Sequence, residues 1–278
     1  MSNEYNNQKN NPYLTEIEKT LPRILALIDI DETNKTYGLL DRLYWAWKLN
    51  DFANATSQGV VNGFARLWVN GLWPYKTKEN DFLKRIDIII NAASHITRKN
   101  GSLEEAFPNE GSYCVTALIA YDVLVTIELL YKIVPDELII KWLDITEPWI
   151  KYLIKYDEEH ALISNHLATA SAALYRWSKF AVGRRNRNNA LSKAESLLNR
   201  ILINQNKEEG WYKEYEGADP GYQSLCTYYM ADILEFLTQN IEINCSSNIL
   251  LSLSHSIKSS LEFLQYAVHP DGSFGGIY

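Results

Sequence analysis

Two short stretches combine the residue types that acid–base chemistry needs. Glu105-Ala106-Phe107-Pro108-Asn109-Glu110-Gly111-Ser112-Tyr113 is a polar loop running into a long apolar helix that begins near Gly111, and Ile163-Ser164-Asn165-His166-Leu167-Ala168 opens another. A carboxyl set against an apolar interior stays protonated because desolvation disfavours its charged form. Glu110, or the position held by Asn109, could therefore donate a proton, with Tyr113 or His166 as its hydrogen-bond partner. Asn165 has two readings, substrate contact and helix cap. Trp45, Trp47, Trp177, Tyr222 and Phe274 could offer π-faces to a bound substrate, or simply fill the core. His95, His160, His166, His255 and His269 lack metal-ligand spacing, so neither metal nor cofactor is expected. No phosphate-cradling glycine loop and no nucleophile elbow occurs.

The elements that must position these residues repeat. Loop-to-helix junctions recur near Asp41, Gly111, Asn165 and Gly221, and another would be due at Tyr278, at intervals of 70, 54, 56 and 57 residues. Such a period marks units that cannot bury an apolar face alone. Two kinds of helix alternate. Asp136 to Tyr156 keeps Lys141, Asp144, Glu147, Lys151 and Lys155 opposite an apolar side, as a half-exposed outer helix does, with a kink expected at Pro148. The helix after Gly111 has no polar stripe, so it is inner and buried. The contrast returns between His166–Phe180 and Asn188–Asn204, and between Gln223–Leu237 and Asn248–Val268. The expected fold is all-α, an α/α toroid of alternating outer and inner helices. Its outer-to-inner loops then share one rim, where inner-helix N-termini collect partial positive charge.

The N-terminal half reads less regularly. Residues 1–12 are expected to be disordered and 13–278 to form one domain. Leu14–Ile28 has helical periodicity interrupted by Pro22, and the acidic run from Asp29 reads as a solvated loop. Asp41–Val69 reads as one long aromatic-rich helix ended by Asn70-Gly71, and Asp81 as the cap of a helix to about Arg98.

Composition narrows the function classes. The chain has 278 residues, 46% hydrophobic, and a net charge of -7, which argues against a nucleic-acid partner. Its one basic cluster, Arg184-Arg185-Asn186-Arg187, reads as a solvated turn. Cys114, Cys226 and Cys245 are odd in number and read as thiols in a reducing compartment. With no apolar signal segment and no obvious membrane span, a cytoplasmic protein is expected.

A second motif accompanies the repeat. Gln205 precedes Gly210-Trp211, Gln265 precedes Gly272-Ser273-Phe274, and Gly101-Ser102-Leu103 is a weaker version. This resembles the Gln-to-Gly-aromatic repeat of squalene-cyclase-type class II terpene cyclases, which implies stapling of an outer helix to the next inner one. Pro108-Asn109-Glu110 lies where those cyclases carry their Asp-rich motif. The likeness over residues 80–278 is to monodomain class II cyclases of the merosterolic acid synthase type, which close rings on prenylated hydroxybenzoates. It implies an isoprenoid substrate, a dry aromatic cavity, a peripheral membrane contact for substrate uptake, and no protein partner. Asn109 stands where that pattern has Asp, so either Glu110 is the acid or the chain is an inactive relative or variant.

The Asn165-His166 junction also resembles that of heparinase II/III-like and alginate-lyase toroids, and Tyr212–Tyr222, with Glu214, Glu216 and Asp219, is similar to their acidic aromatic loop. That resemblance implies β-elimination on a uronate polymer, with Asn165 neutralising the carboxylate and His166 and Tyr215 or Tyr222 exchanging protons.

Overall fold

The computed structural model describes residues 12–181, 183, 186–243, 246–270 and 272. Phe274, Cys245, Arg184, Arg185, Tyr278 and residues 1–11 lie outside them. The fold is all-helical: α1 Pro12–Leu25, α2 Arg42–Trp45, a 3-10 turn Ala55–Gly59, α3 Val60–Val69, α4 Glu79–His95, α5 Tyr113–Leu130, α6 Asp136–Lys155, α7 Ser164–Phe180, α8 Arg187–Asn204, α9 Pro220–Gln239 and α10 Ser247–Leu264. Among the described residues the only β pairing is three isolated bridges in loops.

The expected alternation of layers is present. The inner helices α3, α5, α7 and α9 pack on one another in chain order, while α6, α8 and α10 back α5, α7 and α9. α5 and α7 bury residues on every side, which removes apolar surface from water at about 25 cal/mol per Å². By length and composition α5 could also cross a bilayer, but 72% of it is buried against its neighbours. The inner layer curls enough for its first and fourth helices to meet, where the Arg66 guanidinium of α3 donates to the Tyr228 hydroxyl of α9 at 3.3 Å.

One device recurs where outer helices give way to inner ones. Gly38, Gly101 and Gly210 all have positive φ, a conformation that suits glycine. Each also presses on a carbonyl of a later outer helix: a Cβ would stand 2.2 Å from Ile88 O, 2.3 Å from Pro148 O and 2.4 Å from Ser259 O respectively. Two residues on, a backbone N–H reaches a side chain of the next inner helix or of the turn leading into it: Leu40 to Gln58 Oε1 at 2.9 Å, Leu103 to Thr116 Oγ1 at 2.9 Å, and Tyr212 to Gln223 Oε1 at 2.7 Å. Gln205 Nε2 donates to Gly210 O at 2.8 Å and to Ser256 O of α10 at 2.9 Å. The glutamine thus ties one outer helix to the next outer helix, not to the inner one as the repeat implied, and the inner helix is held by the third residue of the Gly triplet.

The N-terminal half departs further from its reading. Asp41–Val69 is not one helix, because Asp41 folds the chain back on itself. Its Oδ1 caps α2, while Oδ2 accepts from Asn54 N–H at 2.8 Å, and Lys48 between them has φ 54°. α1 continues through Pro22, and α6 through Pro148. α4 starts at Glu79 with Lys78 at the cap position instead of Asp81, and ends at His95. Asp29 is buried instead of solvated, accepting from Asp31 N–H, Asn34 Nδ2 and Thr36 Oγ1.

Candidate active site

The junctions do converge. Ala55 N–H donates to Glu104 O at 3.0 Å, Ser112 N–H to Leu103 O at 2.8 Å, Ser164 N–H to Lys213 O at 3.1 Å, and Tyr215 N–H to Leu162 O at 3.1 Å. The Glu110 carboxylate lies 3.2 Å from His160 Nε2. The loops before α3, α5, α7 and α9 therefore lie side by side on one rim.

The α6–α7 loop breaks the structural device. Where the others carry Gly-x-apolar, it reads Asp157-Glu158-Glu159-His160, and local departures of this kind cluster at functional sites. The Glu158 side chain is only 2% exposed and bridges two imidazoles, with Oε1 2.8 Å from His160 Nδ1 and Oε2 2.6 Å from His166 Nδ1. Burial alone would raise its pKa, but the His166 and His160 contacts outweigh burial and bring it down to about 2. An ionised carboxylate only accepts, so each Nδ1 carries the proton. His166 is thereby fixed with Nε2 as the nitrogen left for chemistry. The contacts with Glu158 and Glu110 hold the His160 pKa above its ordinary value.

A second buried carboxyl stands beside the first helical turn of α7. Glu214 accepts from Asn165 N–H at 2.9 Å and from Asn165 Nδ2 at 2.8 Å. Asn165 is therefore not a cap: it occupies the second helical position, and the acceptor for its N–H arrives from a loop 49 residues away. Burial pushes the Glu214 pKa up to about 7 despite these two bonds.

The adjoining residue is strained. Glu214 and Gly217 exchange backbone bonds of 2.8 and 3.2 Å around Tyr215-Glu216, and Tyr215 has φ 56°. Such a two-residue hairpin prefers glycine at its left-handed position, and a bulky side chain held there is a sign of function. The strain sets the exposed Tyr215 ring 6.3 Å from that of Tyr222, whose N–H is capped by Asp219. Cys114 faces the same place: burial, then Glu105, Glu158 and Glu214, push its thiol up to about 12, so it is no nucleophile. Tyr113 is 3% exposed, its hydroxyl has no hydrogen-bond partner, and burial followed by Asp157 and Glu158 raises its pKa.

Other candidates lie elsewhere. Asn109 is exposed with φ 66°, its N–H bonded to Glu104 Oε1 at 3.1 Å. Asn tolerates that backbone conformation, so a turn explains the residue and it is no buried donor. Glu110 is half exposed, at 48%, and meets His160 instead of an apolar interior. Trp45 and the 58%-exposed Trp47 both lie against the Arg42 guanidinium at 5.6 Å, and Trp45 Nε1 is bonded to Leu27 O. Trp177 is fully buried at the far end of α7 with Nε1 3.2 Å from Asn186 Oδ1. For Glu158 and His160 the signal in the sequence is the missing Gly-x-apolar triplet of their loop.

Beneath the rim, polar groups occupy the space where an aromatic pocket was expected. Asn62 Nδ2 donates to Asp122 Oδ1 at 2.8 Å, Arg66 Nε to Asn62 Oδ1 at 2.9 Å, and the Tyr121 and Tyr228 hydroxyls are 3.2 Å apart. Burial pushes Asp122 up to about 7 against the pull of Asn62 and Arg66. A cavity of about 790 Å³ opens at the other ends of α3, α5 and α7, lined by Trp68, Glu128, Leu129, Lys132, Lys179 and Phe180 among others. Among the described residues no cluster of His, Cys, Asp or Glu has the arrangement of a metal site. No protein-family model matches the chain, and no curated protein or solved structure matches it.

Proposed function

We propose that the rim is the acid–base site of a lyase that cleaves a uronate-containing polysaccharide by β-elimination, as in the heparinase II/III-like and alginate-lyase toroids. The observation that carries this reading is that Glu158 holds His166, Glu214 holds Asn165, and the turn between Glu214 and Gly217 sets Tyr215 beside Tyr222 on the same rim. His166 Nε2 takes the proton α to the uronate carboxylate, the freed electron pair forms the new C=C bond, and the glycosidic oxygen leaves with a proton from Tyr215. Glu158 supports the base role by fixing the His166 tautomer. A polyanion is not repelled by Glu214 while that carboxyl is neutral, and Glu158 is offset by its histidines. The free thiols of Cys114 and Cys226 support a cytoplasmic setting. The test is to incubate the protein with alginate and with glycosaminoglycans and follow the ultraviolet absorbance of the unsaturated product. Turnover should vanish in His166→Ala and persist in Arg42→Ala. No product from any uronate polymer sinks the reading.

One observation favours a second reading. Glu214 is a rim carboxyl held near neutrality by burial, which is what protonation-initiated ring closure by a class II cyclase requires. On that reading Glu214, not Asn109 or Glu110, protonates an isoprenoid alkene, and Tyr215 and Tyr222 face the cation. The polar network around Asp122 weighs against it, since water and polar groups quench carbocations. Conversion of a polyprenyl substrate to a cyclic isomer of equal mass, unaffected by chelator, would establish it over the lyase.

A further inference from the structure

The inner helices α3, α5 and α7 end at Val69, Leu130 and Phe180, and the cavity of about 790 Å³ opens among these ends, away from the rim. That volume is ordinary for a small-molecule site. Its walls are of two kinds. Trp68, Leu129 and Phe180 supply an apolar side, and Trp68 is backed by Phe82, ring on ring at 4.2 Å with 15° between the planes. Glu128, Lys132 and Lys179 supply a charged side.

The charges on that side do not balance. Glu128 Oε1 lies 2.6 Å from Lys179 Nζ, and its Oε2 lies 3.4 Å from Arg176 Nε. Arg176 is buried against the Tyr121 and Phe236 rings, at 4.9 and 5.0 Å, and its Nη1 meets Asp232 Oδ2 at 2.6 Å. Glu128 and Asp232 are thus taken up by Arg176 and Lys179, whereas Lys132 has no ion-pair partner among the described residues. Two carboxylates face three cations, in a chain whose net charge is -7. A lysine at a helix C-terminus can do no more than answer the helix dipole. Lys179 already fills that role at the end of α7, and the role needs neither a concave aromatic wall nor the exposed Val69 and Tyr131 in its lining.

We propose that this cavity binds a flat aromatic monocarboxylate, with its ring body against Trp68 and Phe180 and its carboxylate on Lys132. The site is separate from the rim and does not depend on the rim's chemistry. An aromatic body suits these walls because offset and edge-on ring contacts add to the gain from burying area. One negative charge restores the local balance, and a lysine beside an apolar wall favours the anion over an uncharged analogue of the same shape. A second carboxylate on the ligand would meet Glu128 with no cation left to offset it. The site binds only; no bond of the ligand is made or broken there.

The test titrates the full chain by calorimetry with 2-naphthoate and with its uncharged counterpart, 2-naphthamide. The acid should bind one-to-one and about fivefold tighter than the amide, and the gap should close at high salt because the lysine is exposed. Lys132→Gln should bring the two ligands to about equal affinity. Val69→Glu, which sets a like charge in the wall, should weaken the acid about tenfold and spare the amide. Lys132 and Val69 are both exposed, so either folded variant decides the matter. No saturable binding of 2-naphthoate, equal affinity for acid and amide in the wild type, or an acid preference that survives in the folded variants overturns the proposal. The last of these outcomes would put the anion elsewhere on the chain. Presence or absence of uronate turnover moves none of these readouts, so the lyase and this site stand or fall separately.

Discussion

The Asn165 side-chain amide donates to Glu214 Oε2 at 2.8 Å while its backbone N–H donates to Oε1 of the same carboxyl. One buried glutamate thus closes the first turn of α7 and fixes the residue next to the proposed base.

The first prediction concerns that glutamate. Its pKa rises from an ordinary carboxyl value to about 7 on folding, so the folded state binds the extra proton. Its contribution to stability is full below the unfolded pKa and is lost as pH climbs through about 7. By linkage the loss is on the order of 3 kcal/mol. Glu214→Gln keeps one acceptor of two and should be about 1 kcal/mol less stable than wild type at pH 5. At pH 8 the variant should match or exceed the wild type in denaturant unfolding. A deficit that is equal at both pH values would show that Glu214 is ionised throughout.

Tyr215 separates stability from activity. It sits at φ 56° in a turn position suited to glycine, so Tyr215→Gly should leave stability unchanged or raise it by about 1 kcal/mol. The same change should abolish turnover. Tyr215→Phe should unfold like wild type yet lose roughly a hundredfold or more in turnover, the usual value of a positioned acid. Comparable activity in Tyr215→Phe would transfer the proton-donor role to Tyr222.

Glu158 should set the titration of its neighbour. Removing its charge in Glu158→Gln should lower the His160 pKa toward the ordinary histidine value, leaving only Glu110 to hold it up. NMR titration of the labelled histidines reads this directly. The buried charged bonds should also cost on the order of 2 kcal/mol at neutral pH. An unmoved His160 titration would mean that Glu110 is its dominant partner.

The glycine triplets make a structural prediction. Gly101→Ala must keep φ 91° and place its Cβ 2.3 Å from Pro148 O, so a loss of at least about 2 kcal/mol is expected. Gly71→Ala, at φ 68° with open space around it, should lose only about 1 kcal/mol. Equal losses in thermal unfolding would mean that the close approach to α6 carries no weight.

Helical alternation, the period of the junctions and the identity of inner and outer helices were legible in the order of residues, because amphipathic periodicity and capping are local. The same locality explains why Asn165, His166, Tyr215 and Tyr222 could be named as candidates. Tertiary structure alone decided what each candidate faces. Asp41, His160 and Glu214 make contacts with residues 13, 50 and 49 positions away, and no periodicity reports such pairings. Asn109 looked like a displaced acid and proved to be a left-handed turn residue, while Glu158 looked like one more loop charge and proved to be the buried bridge between two histidines. Whether a carboxyl is solvated, neutral or pinned as an anion depends on burial and on partners that loops bring together only after the helices have packed.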